Sequence, residues 1–303
     1  MLARLGMAAA LVLGFLNTSS NGNTDTTQSS GYDSAVRFRL RDNYKVIVPV
    51  SVSGLEPMGF ILDTGTKTTM IDECVCGKLE LKPVARMPLT TFTGTRIVTI
   101  SRIDSLSMGK ASVQGLEVTC VDLRGTFSVG SDIRGVLGQD FLARFNYLLD
   151  YRRQRIWIEE GGDLQGDHLP LELREYRDHV HCGPASSPQQ EIHFMLDSGA
   201  PFAVVFEDSR VCATLQVQRD DGRADFSSAY GSRSVEPARI SILRVGTESL
   251  GNLPVRLTRA RENERRWENG LLPTRLFQAI YFNHEAGYVI LNPRPSASAS
   301  LNR

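Results

Sequence analysis

Phe60-Ile61-Leu62-Asp63-Thr64-Gly65 returns in the second half of the chain as Phe194-Met195-Leu196-Asp197-Ser198-Gly199. A lone Asp-[Thr/Ser]-Gly is ordinarily a tight turn, because Asp and Ser favour turns and Gly supplies positive φ. Here each copy follows a hydrophobic run and precedes a second β-like stretch, Thr68–Ile71 in one case and Phe202–Phe206 in the other. The similarity extends outward in the same order. Ile103–Gly109 parallels Ile240–Gly246, and Leu116-Glu117-Val118 parallels Leu253-Pro254-Val255. Gly135-Val136-Leu137-Gly138 with Phe141-Leu142 parallels Gly270-Leu271-Leu272-Pro273 with Leu276-Phe277. Each half closes on a β-like stretch, Tyr147–Ile158 and Ala279–Leu291. Ordered matches of this kind indicate a duplication.

The 303 residues suffice for two domains of ordinary size, and 41% hydrophobic content suffices for their cores. Stretches rich in β-branched residues at Val46–Val52, Gln114–Val121 and Val235–Val245, punctuated by Gly and polar residues, predict a mainly β pattern. Short helices are predicted at Asp72–Leu79, with Asp72 as its cap, at Gln139–Phe145 and at Glu207–Leu215. The expected architecture is all-β: two similar barrel-like or sandwich-like lobes with short helices, related by a pseudo-two-fold axis. The first lobe is expected at 35–160 and the second at 169–292. A Gly/Asp-rich linker separates them at 161–168, and a flexible tail follows at 293–303.

The segment 1–34 opens with one Arg and an apolar run too short to span a bilayer comfortably, then a polar stretch unable to bury a core. It reads as a signal peptide followed by a tether. Export to the periplasm or outside the cell is the expectation, with an uncleaved N-terminal anchor as the alternative.

Thirty-four basic residues balance thirty-four acidic ones without a single-signed block, which gives no footprint for nucleic acid. The mixed cluster Arg259–Arg266 reads as a solvated loop. Five cysteines are odd in number and sparse; they read as small buried hydrophobes, with one disulfide of unnamed pairing as the alternative. Cys74-Val75-Cys76 lacks zinc-site spacing, and His179-Val180-His181-Cys182 reads as a surface loop, so no metal and no organic cofactor are expected. Neither a Gly-x-Ser-x-Gly elbow nor a phosphate-binding loop is present in the sequence.

An Asp at the end of a buried strand, on a Gly turn, is a carboxylate presented by a core element. Two such repeats brought together by symmetry would pair two carboxylates, and a close pair holds one proton between them near neutrality. One member then serves as base toward a water and the other as acid toward a carbonyl oxygen.

At these residues the sequence resembles the retropepsin/pepsin clan of aspartic proteases, nearest to bacterial forms with a duplicated domain. The resemblance spans about 36–158 and 170–291. It implies an aspartic endopeptidase acting on peptides or proteins in an inter-lobe cleft, without metal or nucleic acid, with Asp63 and Asp197 catalytic. It implies that Thr64 and Ser198 grip the opposite loop and that the amides of Gly65 and Gly199 bond the carboxylates. Thr66 can donate to Asp63 where Ala200 has no hydroxyl, so Asp63 should be the more easily ionised member. The clan also folds flaps over the cleft, which makes Phe92 and Gly94, and Tyr230 and Gly231, the flap candidates. Val136-Leu137-Gly138 matches the element that packs behind the catalytic loop, whereas Pro273 departs from it. The alternatives are a peptide-binding protein that keeps the fold without turnover, and a homodimer in place of a self-sufficient monomer.

Overall fold

A computed structural model describes residues 35–124, 130–158, 164–174, 177–184, 192–228, 231–259 and 267–295. The predicted signal segment and tether, most of the Arg259–Arg266 cluster, Tyr230, and parts of the predicted linker and tail lie outside them. The described fold is all-β and two-lobed, with short helices at Glu73–Lys78, Gln139–Leu142 and Ser209–Thr214.

Both lobes are built on one pairing scheme. In the first, the strand Met58–Leu62 runs parallel to Ile133–Leu137 and antiparallel to Lys45–Val52. Met70–Asp72 flanks Ile133–Leu137 on its other side and runs parallel to Glu117–Val121. In the second, Ile192–Asp197 runs parallel to Gly270–Pro273 and antiparallel to Arg177–Pro184. Ala203–Phe206 then flanks Gly270–Pro273 and runs parallel to Glu248–Thr258. The duplication read in the sequence is thus a duplication of strand order. In each lobe the strand entering Asp-[Thr/Ser]-Gly is central, and Phe60, Leu62, Phe194 and Leu196 are wholly buried.

A six-stranded sheet joins the halves, in the order Val36–Arg37, Arg155–Ile158, Tyr147–Asp150, Ala279–Asn283, Tyr288–Leu291, Leu169–Pro170. Its centre pairs the closing hairpins of the two repeats, with Tyr147 opposite Phe282 and their rings stacked at 4.9 Å. One core runs through this sheet and both lobes, with a smaller separate cluster in each lobe, around Ile61 and Ile133 in the first and around Met195 and Leu271 in the second. Leu164–Gln165 also pairs with Arg294–Pro295, so the predicted linker and tail meet in a short ladder.

Local differences from the expected pattern have simple causes. Gln114–Val121 is two strands, because Gly115 takes φ +64° and its N–H turns to the Asp104 carbonyl. Asp72 caps the first helix as expected, its carboxylate accepting the Cys74 N–H, and Asp208 caps the third in the same way. His179–Cys182 is not a surface loop. It lies within the strand Arg177–Pro184, with His179, Val180 and Cys182 buried.

The cysteines also correct the reading of small hydrophobes. Cys76 and Cys120 form a disulfide, Cα atoms 6.3 Å apart, that ties the first helix to the strand Glu117–Val121. Cys74 is exposed rather than buried. The sequence separation is 44 residues, a loop whose closure stabilises the fold by about 4 kcal/mol in the chain-entropy picture. Cys120→Ala or reduction should lower unfolding stability by about 2–4 kcal/mol, measured by urea denaturation. Cys74→Ala should leave it nearly unchanged.

Candidate active site

The Asp63 backbone N–H donates to the Leu137 carbonyl at 3.0 Å, which holds the first turn against the parallel strand. Thr64 and Ser198 then cross between the lobes. The Thr64 N–H donates to Ser198 Oγ at 3.0 Å, and Thr64 Oγ1 donates to the Leu196 carbonyl at 2.7 Å. Reciprocally, the Ser198 N–H donates to Thr64 Oγ1 at 3.0 Å and Ser198 Oγ to the Leu62 carbonyl at 2.8 Å. Each hydroxyl both accepts and donates, and both residues are buried. Four hydrogen bonds lock two loops 134 residues apart in the chain.

That lock places each carboxyl against the opposite glycine. A Cβ at Gly65 would stand 2.5 Å from the Asp197 carboxyl carbon, and one at Gly199 would stand 2.7 Å from that of Asp63. Only glycine fits either position. The Gly65 N–H donates to Asp63 Oδ1 at 2.9 Å and the Gly199 N–H to Asp197 Oδ1 at 2.8 Å. The two carboxyls thus sit side by side, each against the glycine of the other loop. The structure therefore brings together Asp63, Thr64, Gly65, Asp197, Ser198 and Gly199.

Symmetry ends at the next position. Thr66 Oγ1 donates to Asp63 Oδ2 at 2.8 Å, whereas Ala200 offers Asp197 only its backbone N–H. Burial raises the pKa of both carboxyls above the ordinary value. For Asp63 the bonds from Thr66 and Gly65 offset part of that rise. For Asp197 the adjacent charge of Asp63 adds to burial and carries its pKa well above the carboxylate range. Both causes run the same way, favouring charge on Asp63 and the proton on Asp197.

The region behind the loops also differs. In the first lobe Gly138 passes under the turn, where any Cβ would meet the Thr68 backbone at 2.8 Å. Pro273 nonetheless keeps its route, pairing with Asp197 in the parallel ladder before a 3-10 turn at Thr274–Leu276. Proline is tolerated there because the strand ends at that residue.

A brace beneath the first loop has no signature in the sequence. Gln139 Nε2 donates to the Thr64 carbonyl at 3.2 Å and to Asp178 Oδ2 at 2.6 Å. Asp178, wholly buried, also accepts from His284 Nε2 at 3.1 Å, and His284 Nδ1 faces the Phe145 carbonyl at 2.8 Å. Both imidazole nitrogens face acceptors, the arrangement of an imidazolium. Burial alone would lower the His284 pKa, but the Asp178 charge and these hydrogen bonds outweigh it and raise it.

The described flap candidates, Phe92, Gly94 and Gly231, lie at hairpin tips. Phe92 and Gly94 sit in the turn between Pro83–Thr90 and Thr95–Arg102, closed by the Thr91 N–H on the Gly94 carbonyl at 2.7 Å. Gly231 opens the return strand of the second hairpin, at φ +136° with room for no Cβ beside the Thr93 carbonyl. The two tips meet. Phe92 packs edge-on against Phe226 at 5.8 Å and under the Arg233 guanidinium at 4.8 Å, and Phe226 packs against Phe202 at 5.7 Å. Phe226, Arg233 and Phe202 were not singled out from the sequence; an aromatic three residues beyond Gly199 was the available signal.

Residues 48–141 match the family model described as aspartyl protease. The match includes Asp63-Thr64-Gly65, the first hairpin tip and Val136-Leu137-Gly138, while Asp197-Ser198-Gly199 lies beyond it. Comparison with curated proteins gave no match.

Two measurements bear on this geometry. Ser198→Ala strands the buried Thr64 N–H and Leu62 carbonyl and should cost about 2–4 kcal/mol in urea denaturation. A histidine whose pKa is raised by folding stabilises fully below its unfolded value near 6.5, and that contribution is lost as pH rises through the folded value. The stability gap between wild type and His284→Gln should therefore be widest at mildly acidic pH and shrink above neutrality.

Proposed function

We propose that the chain is an aspartic endopeptidase that hydrolyses peptide bonds with a water activated between Asp63 and Asp197. The observation that carries this reading is the placement of the two carboxyls side by side, each against the opposite loop's glycine and held by its own glycine amide and by the reciprocal Thr64–Ser198 lock. Asp63, with the Thr66 hydroxyl behind it, acts as the base. It takes a proton from the water as the water oxygen bonds to the scissile carbonyl carbon. Asp197 gives its proton to the carbonyl oxygen, which leaves a neutral tetrahedral diol. Collapse returns a proton from Asp63 to the departing amine nitrogen and one from the diol to Asp197, restoring the pair. No charge builds up on the intermediate, which suits an unactivated amide.

The substrate of this reading is an extended peptide or protein segment held in the cleft between the lobes. The hairpin tips at Phe92 and Gly231 would clamp it and exclude water once it has entered, which requires their contact at Phe226 to open. Because both loops come from one chain and satisfy each other, the reading needs no second copy. The reading includes export: the N-terminal apolar run supports it, and so does the Cys76–Cys120 disulfide, which suits an oxidising compartment.

Asp63→Asn and Asp197→Asn should each lower cleavage of a peptide library by at least about a thousandfold while leaving the circular dichroism spectrum unchanged. The pH profile of kcat/KM should be bell-shaped. The acid limb reflects protonation of Asp63 and sits above the ordinary Asp value near 3.9; the alkaline limb reflects loss of the Asp197 proton. Undiminished turnover in either variant would remove the shared pair.

A further inference from the structure

The second lobe presents another cluster, away from the carboxyl pair. His181 and His193 stand directly opposite each other on the antiparallel strands Arg177–Pro184 and Ile192–Asp197. Directly opposed residues in such a ladder point to one face. Glu172, on the neighbouring strand Glu172–Arg174, pairs with His179, and residues two apart on a strand share a face, so Glu172 joins the two histidines. The opposite face carries Val180, Cys182 and Phe194 into the core, which fixes the register.

The side chains converge. His181 Nε2 lies 3.0 Å from Glu172 Oε1, the two imidazole centroids are 4.4 Å apart, and one donor atom from each of the three residues lies within 4.8 Å of the others. The His193 ring is wedged against Trp267 at 4.0 Å. Its backbone is pinned on both sides by Asn269, which accepts the His193 N–H at 2.9 Å and donates its own N–H to the His193 carbonyl at 2.7 Å. Trp267 also abuts His179, giving the cluster an aromatic floor. His181 and Glu172 remain about one-third exposed, at 31% and 34%, which leaves an entry path from solvent.

We propose that Glu172, His181 and His193 form a binding site for a single divalent transition-metal ion, with zinc the best fit. Two imidazole nitrogens and a carboxylate oxygen are the donor set of three-ligand zinc sites, whose fourth position takes water. Calcium and magnesium prefer oxygen donors throughout. Tetrahedral bonds near 2.1 Å require donors about 3.3 Å apart, so side-chain rotation closing the widest gap by roughly 1.5 Å completes the site without moving a strand. The expectation of no metal rested on reading His179–Cys182 as a surface loop; the ladder instead aims His181 across at a residue distant in sequence. His193 lies four residues before Asp197, on the order of 13 Å along the strand, so the site is separate from the carboxyl pair and independent of the catalytic reading. An ion there would tie three strands at the outer end of the element that carries Asp197.

The test uses the full chain after chelator treatment, titrated with zinc chloride by calorimetry and with cobalt(II) by visible absorption. Wild type should take up one ion, and cobalt should give the intense bands of tetrahedral coordination. His181→Ala and His193→Gln should each weaken binding by at least about tenfold. Zinc at a hundredfold excess over Kd should raise the Tm of wild type by on the order of 5 °C and leave that of His181→Ala unmoved. The Asp63→Asn/Asp197→Asn chain should bind as wild type does. Absence of saturable binding, or binding lost in the double Asp variant and kept in His181→Ala, would overturn the proposal.

Discussion

Two carboxyls set side by side in a buried place can persist only if their surroundings hold them there. Left free, burial and mutual repulsion would drive them apart or protonate both. The Thr64–Ser198 lock is what prevents separation. Each hydroxyl gives its proton to the opposite loop and accepts an N–H from it, so neither loop can retreat without exposing buried polar atoms. The central position of the two entering strands follows from the same need. A loop anchored on a wholly buried strand with parallel and antiparallel neighbours cannot translate without disturbing a close-packed core.

Within this symmetric frame the differences between lobes are chemical. A hydroxyl at Thr66 and its absence at Ala200 split the two carboxyls into one that more readily carries charge and one that more readily keeps the proton. Perfect two-fold symmetry would leave the proton equally on both. A duplicated chain can make its two carboxyls unequal because its halves are free to diverge at single positions.

Much of this was legible because it is local. Asp63 and Asp197, their supporting glycines, Thr64, Ser198 and Thr66 fall within two short segments, Asp63–Thr66 and Asp197–Gly199, and the ordered repeats around them specify the strand scheme. What was not legible depends on pairings distant in sequence. Gln139 meets Asp178 across 39 residues, Asp178 meets His284 across 106, and Cys76 meets Cys120 across 44. None of these residues has a neighbour that marks it, and strand register alone determines the contacts. His179–Cys182 illustrates the point. Its place in a polar stretch between the lobes suggested an exposed loop, yet its alternation of His with Val and Cys is what a strand shows when one face meets the core and the other carries a polar cluster.

The brace beneath Thr64 shows what such distant contacts do. Burying an imidazolium and a carboxylate costs more desolvation energy than the pair readily recovers, so His284 and Asp178 are poorly explained as a device for stability alone. Their effect is directional. Asp178 holds one hydrogen of the Gln139 amide at 2.6 Å, which turns the other toward the Thr64 carbonyl at 3.2 Å. A leucine at Gln139 would fill the same space and leave that carbonyl without this donor, directly behind the residue that grips the opposite loop. In the second lobe the corresponding region is held by a neutral pair, the Tyr151 hydroxyl and Thr274 Oγ1 at 2.6 Å. The charged brace thus sits behind the loop of the more ionised carboxyl and draws Asp178 and His284 from the other half of the chain, so the orientation of the Asp63 loop depends on both lobes being folded together.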